Sequence, residues 1–331
     1  MKKSVLMIIM TVMMAVVMAA CGNNNTKDAK TETTEPAGNK TNTAAPAESK
    51  ELTIKHKLGE AKVQTNPKKV VVFDYGVLDS LDKLGVEVSG VPQANIPPYL
   101  SKFEDKKYAN VGSLKEPDFE KINALDPDLI IISGRQQDAY EELNKIAPTI
   151  FLGVDNTKLV ESFKENMNTL GQIFDKQSQI DEELAKIDAS IKEIHDKATA
   201  SGKNGLIVLA NEGKLSAYGA GSRFGIIHDV LGFTPADPKI EVSTHGQSVT
   251  SEFVAEKNPD YLFVVDRDSA VATKGTETAS AKDTIENDLV KNTKAFKEGH
   301  IVYLDPNYWY LSGGGLVSMV EMINEIGAAI K

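Results

Sequence analysis

Two kinds of apolar stretch alternate along the chain beyond residue 51. Short unbroken runs, Val70–Phe73, Leu129–Ile132, Leu206–Leu209 and Tyr261–Val265, read as strands buried on both faces, because a half-exposed strand would alternate apolar and polar positions. Longer stretches carry apolar residues at helical spacing. Leu159, Phe163, Met167, Leu170 and Phe174, then Ile180, Leu184, Ile187, Ile191 and Ile194, recur at intervals of three, four or six. That predicts helix over residues 157–200 with one apolar face and charges opposite. Strands covered on both faces and separated by helices make an α/β protein.

One block occurs twice, 132 positions apart. Leu125-Asp126-Pro127-Asp128, the run Leu129–Ile132 and Arg135 return as Lys257-Asn258-Pro259-Asp260, the run Tyr261–Val265 and Arg267. Each copy reads as a short helix, a Pro-Asp turn, a buried strand and a loop bearing arginine. A looser pairing supports it: Val70–Phe73 leads through a helix to Lys83–Val86, and Leu206–Leu209 leads to Val230–Phe233. Two similar α/β lobes are therefore expected, residues 51–156 and 201–331, joined by one long connecting helix over 157–200. A helix as the only crossover resists bending, so little closure is expected. Ser312-Gly313-Gly314-Gly315 reads as a flexible lead into the last helix, Leu316–Ile330.

The first fifty residues have another character. Lys2 and Lys3 precede an apolar run from Val5 to Ala20, shorter than a membrane span needs, which is a signal-peptide pattern for residues 1–20. Six of the nine methionines lie in it. It ends in Met18-Ala19-Ala20-Cys21-Gly22, which resembles a bacterial lipobox, although Met18 departs from the usual leucine. Cys21 is the single cysteine of the chain, so a disulfide within it is excluded and lipidation is the expected role; an ordinary secreted protein is the plainer alternative. Residues 22–50 contain no aromatic and no large aliphatic side chain, so nothing offsets the entropy of ordering them. As a flexible tether they would reach about 30 Å, enough to hold a domain above a lipid surface.

The formal net charge of -10 argues against a nucleic-acid partner. Against that background the arginines stand out. Of 37 basic residues only three are arginine: Arg135, Arg223 and Arg267. Two follow the carboxyl ends of equivalent strands, where open α/β sheets bind ligands. Arg223 follows an expected hairpin, Leu206–Ala210 with Lys214–Tyr218. All three can face a cleft between the lobes. Guanidinium is always charged, donates in a planar fork and stacks on rings, which suits a rigid aromatic anion such as a ferric catecholate; three separate surface ion pairs are the alternative. Tyr75, Tyr218 and the Tyr308-Trp309-Tyr310 run lie in neighbouring loops. Trp309 is a candidate cleft wall or a core residue, and His245 and Gln247 are weaker candidates.

Together the repeated Pro-Asp strands, two lobes, single helix and lipobox resemble the class III substrate-binding proteins of ABC importers, over roughly Leu52 to Lys331. Within that family the arginine set resembles the petrobactin-binding lipoproteins of Gram-positive bacteria. The resemblance implies capture of a ferric siderophore by a lipid-anchored, extracytoplasmic monomer, and delivery to an ABC permease dimer with its cytoplasmic ATPase. The iron arrives fully chelated, with no other cofactor and no protein metal ligand. It further implies that one glutamate per lobe docks on the permease. Glu120 and Glu252, also 132 apart, match that position, with Glu116 the rival in the first lobe; a favourable helix-dipole contact that needs no partner is the alternative.

Two other classes fit less well. A transition-metal receptor needs three or four ligands in the cleft, and His56, His195, His228, His245 and His300 are too scattered to supply them. Haem could use His228 or His245 as an axial ligand, with two arginines on its propionates and the third unexplained. No Walker A loop, serine elbow or cysteine nucleophile marks an enzyme.

Overall fold

The computed structural model describes residues 50–272 and 280–330. Residues 1–20, Cys21 and nearly all of the expected tether lie outside them. A hairpin, β1 (Glu51–His56) with β2 (Gly59–Gln64), precedes the first lobe. That lobe is a five-stranded parallel sheet of β3 (Val70–Val72), β4 (Gly90–Val91), β5 (Ala109–Asn110), β6 (Leu129–Ile132) and β7 (Thr149–Phe151), ordered β5-β4-β3-β6-β7. The second lobe contains β8 (Asn204–Asn211), β9 (Lys214–Tyr218), β10 (Thr234–Pro235), β11 (Gln247–Val249), β12 (Tyr261–Asp266) and β13 (Ile301–Leu304). Its order is β11-β9-β8-β12-β13, with β10 beside β8.

The unbroken apolar runs are explained by burial on both faces. Val70, Val72, Leu129 and Ile131 join the large core shared with the helices between the lobes, whereas Val71, Phe73, Ile130 and Ile132 join a separate core behind the first sheet. The second lobe repeats this: Ile207, Leu209, Phe263 and Val265 face the shared core, and Leu206, Val208, Leu262 and Val264 face the opposite one.

The Pro-Asp repeat is a clasp between neighbouring strands. Asp128 accepts from the backbone N–H groups of Lys68 and Lys69, just ahead of β3. Asp260 accepts from Asn204 N–H at the start of β8, and Asn204 Oδ1 accepts from Asp260 N–H in return. The preceding helices end at Asp126 and Asn258, both in the left-handed region, where short polar side chains are tolerated better than branched ones. The β8–β9 hairpin turns through Glu212 and Gly213, both at positive φ, as a tight two-residue hairpin requires.

The helical stretch predicted over 157–200 is two helices. Leu159–Phe174 ends at Asp175 in the left-handed region and folds back, so that Lys164 pairs with Asp188 at 2.6 Å. The single long connector is Gln177–Ser201. It packs on the last helix, Leu316–Ala329, which in turn packs on Tyr75–Lys83 of the first lobe.

That last contact reverses the expectation of a flexible glycine segment. The first turn of helix Leu316–Ala329 is capped across space by helix Tyr75–Lys83: Asp79 accepts from Val317 N–H (3.2 Å) and Ser318 N–H (3.0 Å), and Ser80 Oγ accepts from Leu316 N–H (2.9 Å). These are helix-start donors that would otherwise be buried unpaired. A side chain at Gly315 would collide with the Asp79 carboxylate and the Gly76 carbonyl, and one at Gly76 with the Ser312 carbonyl. The glycines allow close approach rather than motion. Tyr99 completes the knot, donating to Ser312 Oγ at 2.7 Å and lying 3.2 Å from Asp79 Oδ2.

Candidate functional site

The three arginines converge on one residue, Tyr310, in the turn Asn307–Ser312 that follows β13. Arg135, at the start of the loop after β6, donates from Nη2 to the Tyr310 carbonyl at 2.7 Å. Arg223, from the loop after β9, donates to the same carbonyl, and its guanidinium lies 4.2 Å from the Tyr310 ring centre. Arg267, directly after β12, donates from Nε to the Tyr310 hydroxyl at 3.2 Å and from Nη1 to Asn211 Oδ1 at 2.5 Å. Loops of both lobes thus meet at a single tyrosine.

The electrostatics of this cluster are unbalanced. Arg267 has a carboxylate neighbour, Asp268, at 3.6 Å. Among the described residues no carboxylate lies within ion-pair distance of Arg135 or Arg223. Burial, and then the charge of Arg135, pull the Arg223 guanidinium below its ordinary pKa. Burial alone would push the Tyr310 phenol up, but the hydrogen bond from Arg267 and the charge of Arg223 outweigh it and the net direction is down. A carbonyl and a ring face offer only partial negative charge to crowded, desolvated cations. An anion placed here would gain several charge-assisted hydrogen bonds at once.

The other aromatic candidates stand behind the cluster. Tyr75 is fully buried, with its hydroxyl 2.9 Å from the carbonyls of Pro92 and Ala94; burial raises its phenol, with the Arg135 charge opposing. Tyr218 is buried edge-on against Phe224, ring centres 4.7 Å apart. Trp309 is 2% exposed and donates from Nε1 to Glu325 Oε2 at 2.6 Å. Of the two places open to it, core or cleft, it takes the core, and its neighbour Tyr310 faces the arginines. Side chains one position apart on this turn diverge, so Trp309 meets Glu325 while Tyr310 meets the arginines. Trp309→Phe is expected to lower unfolding free energy by about 1–3 kcal/mol by removing the hydrogen bond to the half-buried Glu325 carboxylate, while ligand affinity stays within about twofold. Paired calorimetry and titration would check this, and a large affinity loss would return Trp309 to the site.

His245 is exposed in the loop between Glu241 and Gly246, with no hydrogen bond or ring contact to the arginines. Gln247 instead closes that loop, its side chain accepting from Glu241 N–H at 3.0 Å. Glu120 and Glu252 are exposed in the first turns of helices Phe119–Leu125 and Ser251–Lys257, and Glu116 is exposed ahead of the first. No cluster of three His, Cys, Asp or Glu side chains suited to a metal ion occurs among the described residues, and no described helix is long and apolar enough to cross a membrane.

Two α/β lobes, one long connecting helix and a cluster of cationic loops between them define a class III solute-binding protein. The sequence profile described as periplasmic binding protein matches residues 70–308, and the chain belongs to that family. Among particular relatives, it is 53% identical over 330 residues, 98% of each chain, to the petrobactin-binding protein YclQ of Bacillus subtilis (strain 168). The crystal structure of YclQ superposes with a TM-score of 0.82, covering 85% of this chain and 99% of that one. The ferric-anguibactin-binding protein FatB of Vibrio anguillarum is 33% identical over 280 residues, 83% of this chain and 86% of FatB. The catecholate-siderophore binding protein VctP of Vibrio cholerae is similar at 37% identity and a TM-score of 0.80, covering 84% of this chain and all of VctP.

Proposed function

We propose that this protein captures a ferric catecholate siderophore, petrobactin foremost, between its lobes and delivers it to an ABC importer. The observation that carries the reading is the convergence of Arg135, Arg223 and Arg267 on Tyr310, with two of the three cations lacking a carboxylate partner among the described residues. A multiply anionic complex with aromatic rings would displace the Tyr310 carbonyl as acceptor and use the guanidinium planes for stacking. The 53% identity to a petrobactin-binding protein supports the choice of ligand. Residues 1–20 act as an export signal, Cys21 as the lipid anchor on the outer face of the membrane, and residues 22–50 as the tether. The protein works as a monomer and adds no ligand to the iron, which remains chelated by its carrier.

Fluorescence titration against ferric petrobactin, ferrichrome, haem and cobalamin tests the ligand. Tight binding of ferric petrobactin is expected, and tight binding of haem alone would overturn the proposal. Glu120 and Glu252 are the permease contacts in this reading. The Glu120→Ala, Glu252→Ala double variant should abolish cellular uptake of the labelled ferric complex while leaving its dissociation constant unchanged; normal uptake would remove the docking role.

A further inference from the structure

Helix Tyr75–Lys83 and the turn Asn307–Ser312 meet through a chain of oxygen atoms in which each hydroxyl has one proton to give and each carbonyl none. Ser80 Oγ gives its proton to the Gly76 carbonyl at 2.8 Å, and Ser318 Oγ gives its own to the Ser312 carbonyl at 2.6 Å. Ser312 Oγ donates to the Asn307 carbonyl at 2.7 Å, which closes the turn on itself. The Ser312 hydroxyl oxygen can then only accept, and the donor in reach is the Tyr99 hydroxyl at 2.7 Å. With that proton committed, Tyr99 Oη and Asp79 Oδ2 face each other at 3.2 Å with no proton between them, unless the carboxyl carries one.

The surroundings of Asp79 favour the neutral carboxyl. It is fully buried, and among the described residues no cation lies within ion-pair distance of it. The nearby lysines are engaged elsewhere: Lys83 of the same helix lies 3.8 Å from Glu183, and Lys102 of the turn Pro98–Glu104 pairs with Asp82. The other titratable groups on the elements packed around it are Tyr99, Tyr308, Asp305, Glu321 and Glu325, none of them cationic. Burial pushes the Asp79 carboxyl up to about 7, in keeping with the proton count.

We infer that Tyr99 is a positioning residue for the ligand, whose single proton goes to Ser312 when Asp79 is neutral, tying the turn that bears Tyr310 to the first lobe, and swings to Asp79 when that carboxyl ionises, releasing the tie. The swing follows because a hydrogen bond to a charged acceptor is stronger than one to a hydroxyl. Ser312 lies two positions after Tyr310, whose carbonyl receives Arg135 and Arg223 and whose hydroxyl receives Arg267. A released turn must be ordered again when the ligand binds, at a cost in affinity. Affinity is therefore higher below the Asp79 titration and falls as pH rises through about 7. The link to the ligand rests on the proposed function, whereas the proton switch is a property of the free protein.

Trp309, the single tryptophan of the chain, lies in the same turn and reports on it without ligand. Its emission in the unsubstituted protein should pass through a transition centred near pH 7, and Tyr99→Phe and Ser312→Ala should each remove it. Trp309 also bonds Glu325, so a transition that persists in both variants belongs to that carboxyl and would overturn the switch, as would the lack of any transition. Ferric petrobactin then tests the positioning role. Tyr99→Phe should weaken its binding about fivefold at pH 6 and by less than about twofold at pH 8, where Ser312 has already lost its donor. The ratio of variant to parent at each pH cancels the ligand's own titration, and a ratio equal at both would make Tyr99 merely structural. Should the unsubstituted protein not bind ferric petrobactin, the proposed function fails, while the emission still decides the switch. Tyr99→Phe removes one oxygen and adds no bulk, and Ser312→Ala repeats both measurements should it fail to fold.

Discussion

Replacing Arg223 with alanine is expected to weaken ferric catecholate binding by about 10- to 100-fold, without a matching loss of thermal stability in the free protein. Arg223 lies against both the carbonyl and the ring of Tyr310, so its removal takes a charge and a stacking plane from the cluster together. A hydrogen bond to a charged group contributes about 1.5–3 kcal/mol, and each 1.4 kcal/mol is tenfold in affinity. The free protein loses little, because in it this guanidinium is a desolvated cation near Arg135 whose compensation is a carbonyl and two ring faces. Arg223→Lys should fall between, since lysine keeps the charge but not the fork or the stacking plane. Raising ionic strength should weaken binding by the parent protein more than by the variant. A dissociation constant unchanged by Arg223→Ala would take away the chief support for an anionic ligand.

The second large effect concerns stability. Asp79 is fully buried, yet it caps the helix Leu316–Ala329 from the other side of the inter-lobe packing. Asp79→Ala leaves the N–H groups of Val317 and Ser318 without their acceptor and empties a polar pocket. About 3–5 kcal/mol of stability should be lost, lowering Tm by roughly 10 °C. Its titration has a definite sign. Burial drives the carboxyl up to about 7, and the hydrogen bonds from Ser318, Val317 and Tyr99 only partly oppose it. Between the unfolded value near 3.9 and the folded value near 7, the native state holds a proton that the unfolded state has released. This contribution to stability is therefore fully present below about pH 4 and is lost as pH rises through 7. In Asp79→Asn that downward slope should vanish, although the variant starts less stable because its amide can offer only one acceptor. Chemical denaturation from pH 4 to 8 reads both effects. An unchanged slope in Asp79→Asn would assign the pH dependence to other groups.

The same buried knot ties the site to the scaffold. Tyr99 and Ser318 hold Ser312, two residues from Tyr310, and the Tyr99 and Tyr308 rings lie 4.8 Å apart. The turn that presents Tyr310 to the arginines is thus braced by the first lobe's helix Tyr75–Lys83 as well as by β13.

Much of the architecture was legible in one dimension because its causes are local or periodic. Unbroken apolar runs report burial on two faces, and a block repeated 132 positions on reports two lobes. The rare arginines report places where a fork was needed rather than a soluble charge. The break at Asp175 was not legible, since the apolar spacing continues across it and only the fold-back against Asp188 requires the left-handed residue. Nor was the choice between Trp309 and Tyr310, adjacent aromatics whose directions depend on Glu325 and the arginines, respectively. The glycines before Leu316 looked like freedom and are instead contact points with Asp79 and Gly76, some 240 positions earlier. By itself the sequence determined the strands, the lobes and the three cationic loops, because these follow from spacing along the chain. Only the tertiary structure decided which tyrosine those cations surround and which carboxylate caps the last helix, because both depend on contacts between residues far apart in the chain.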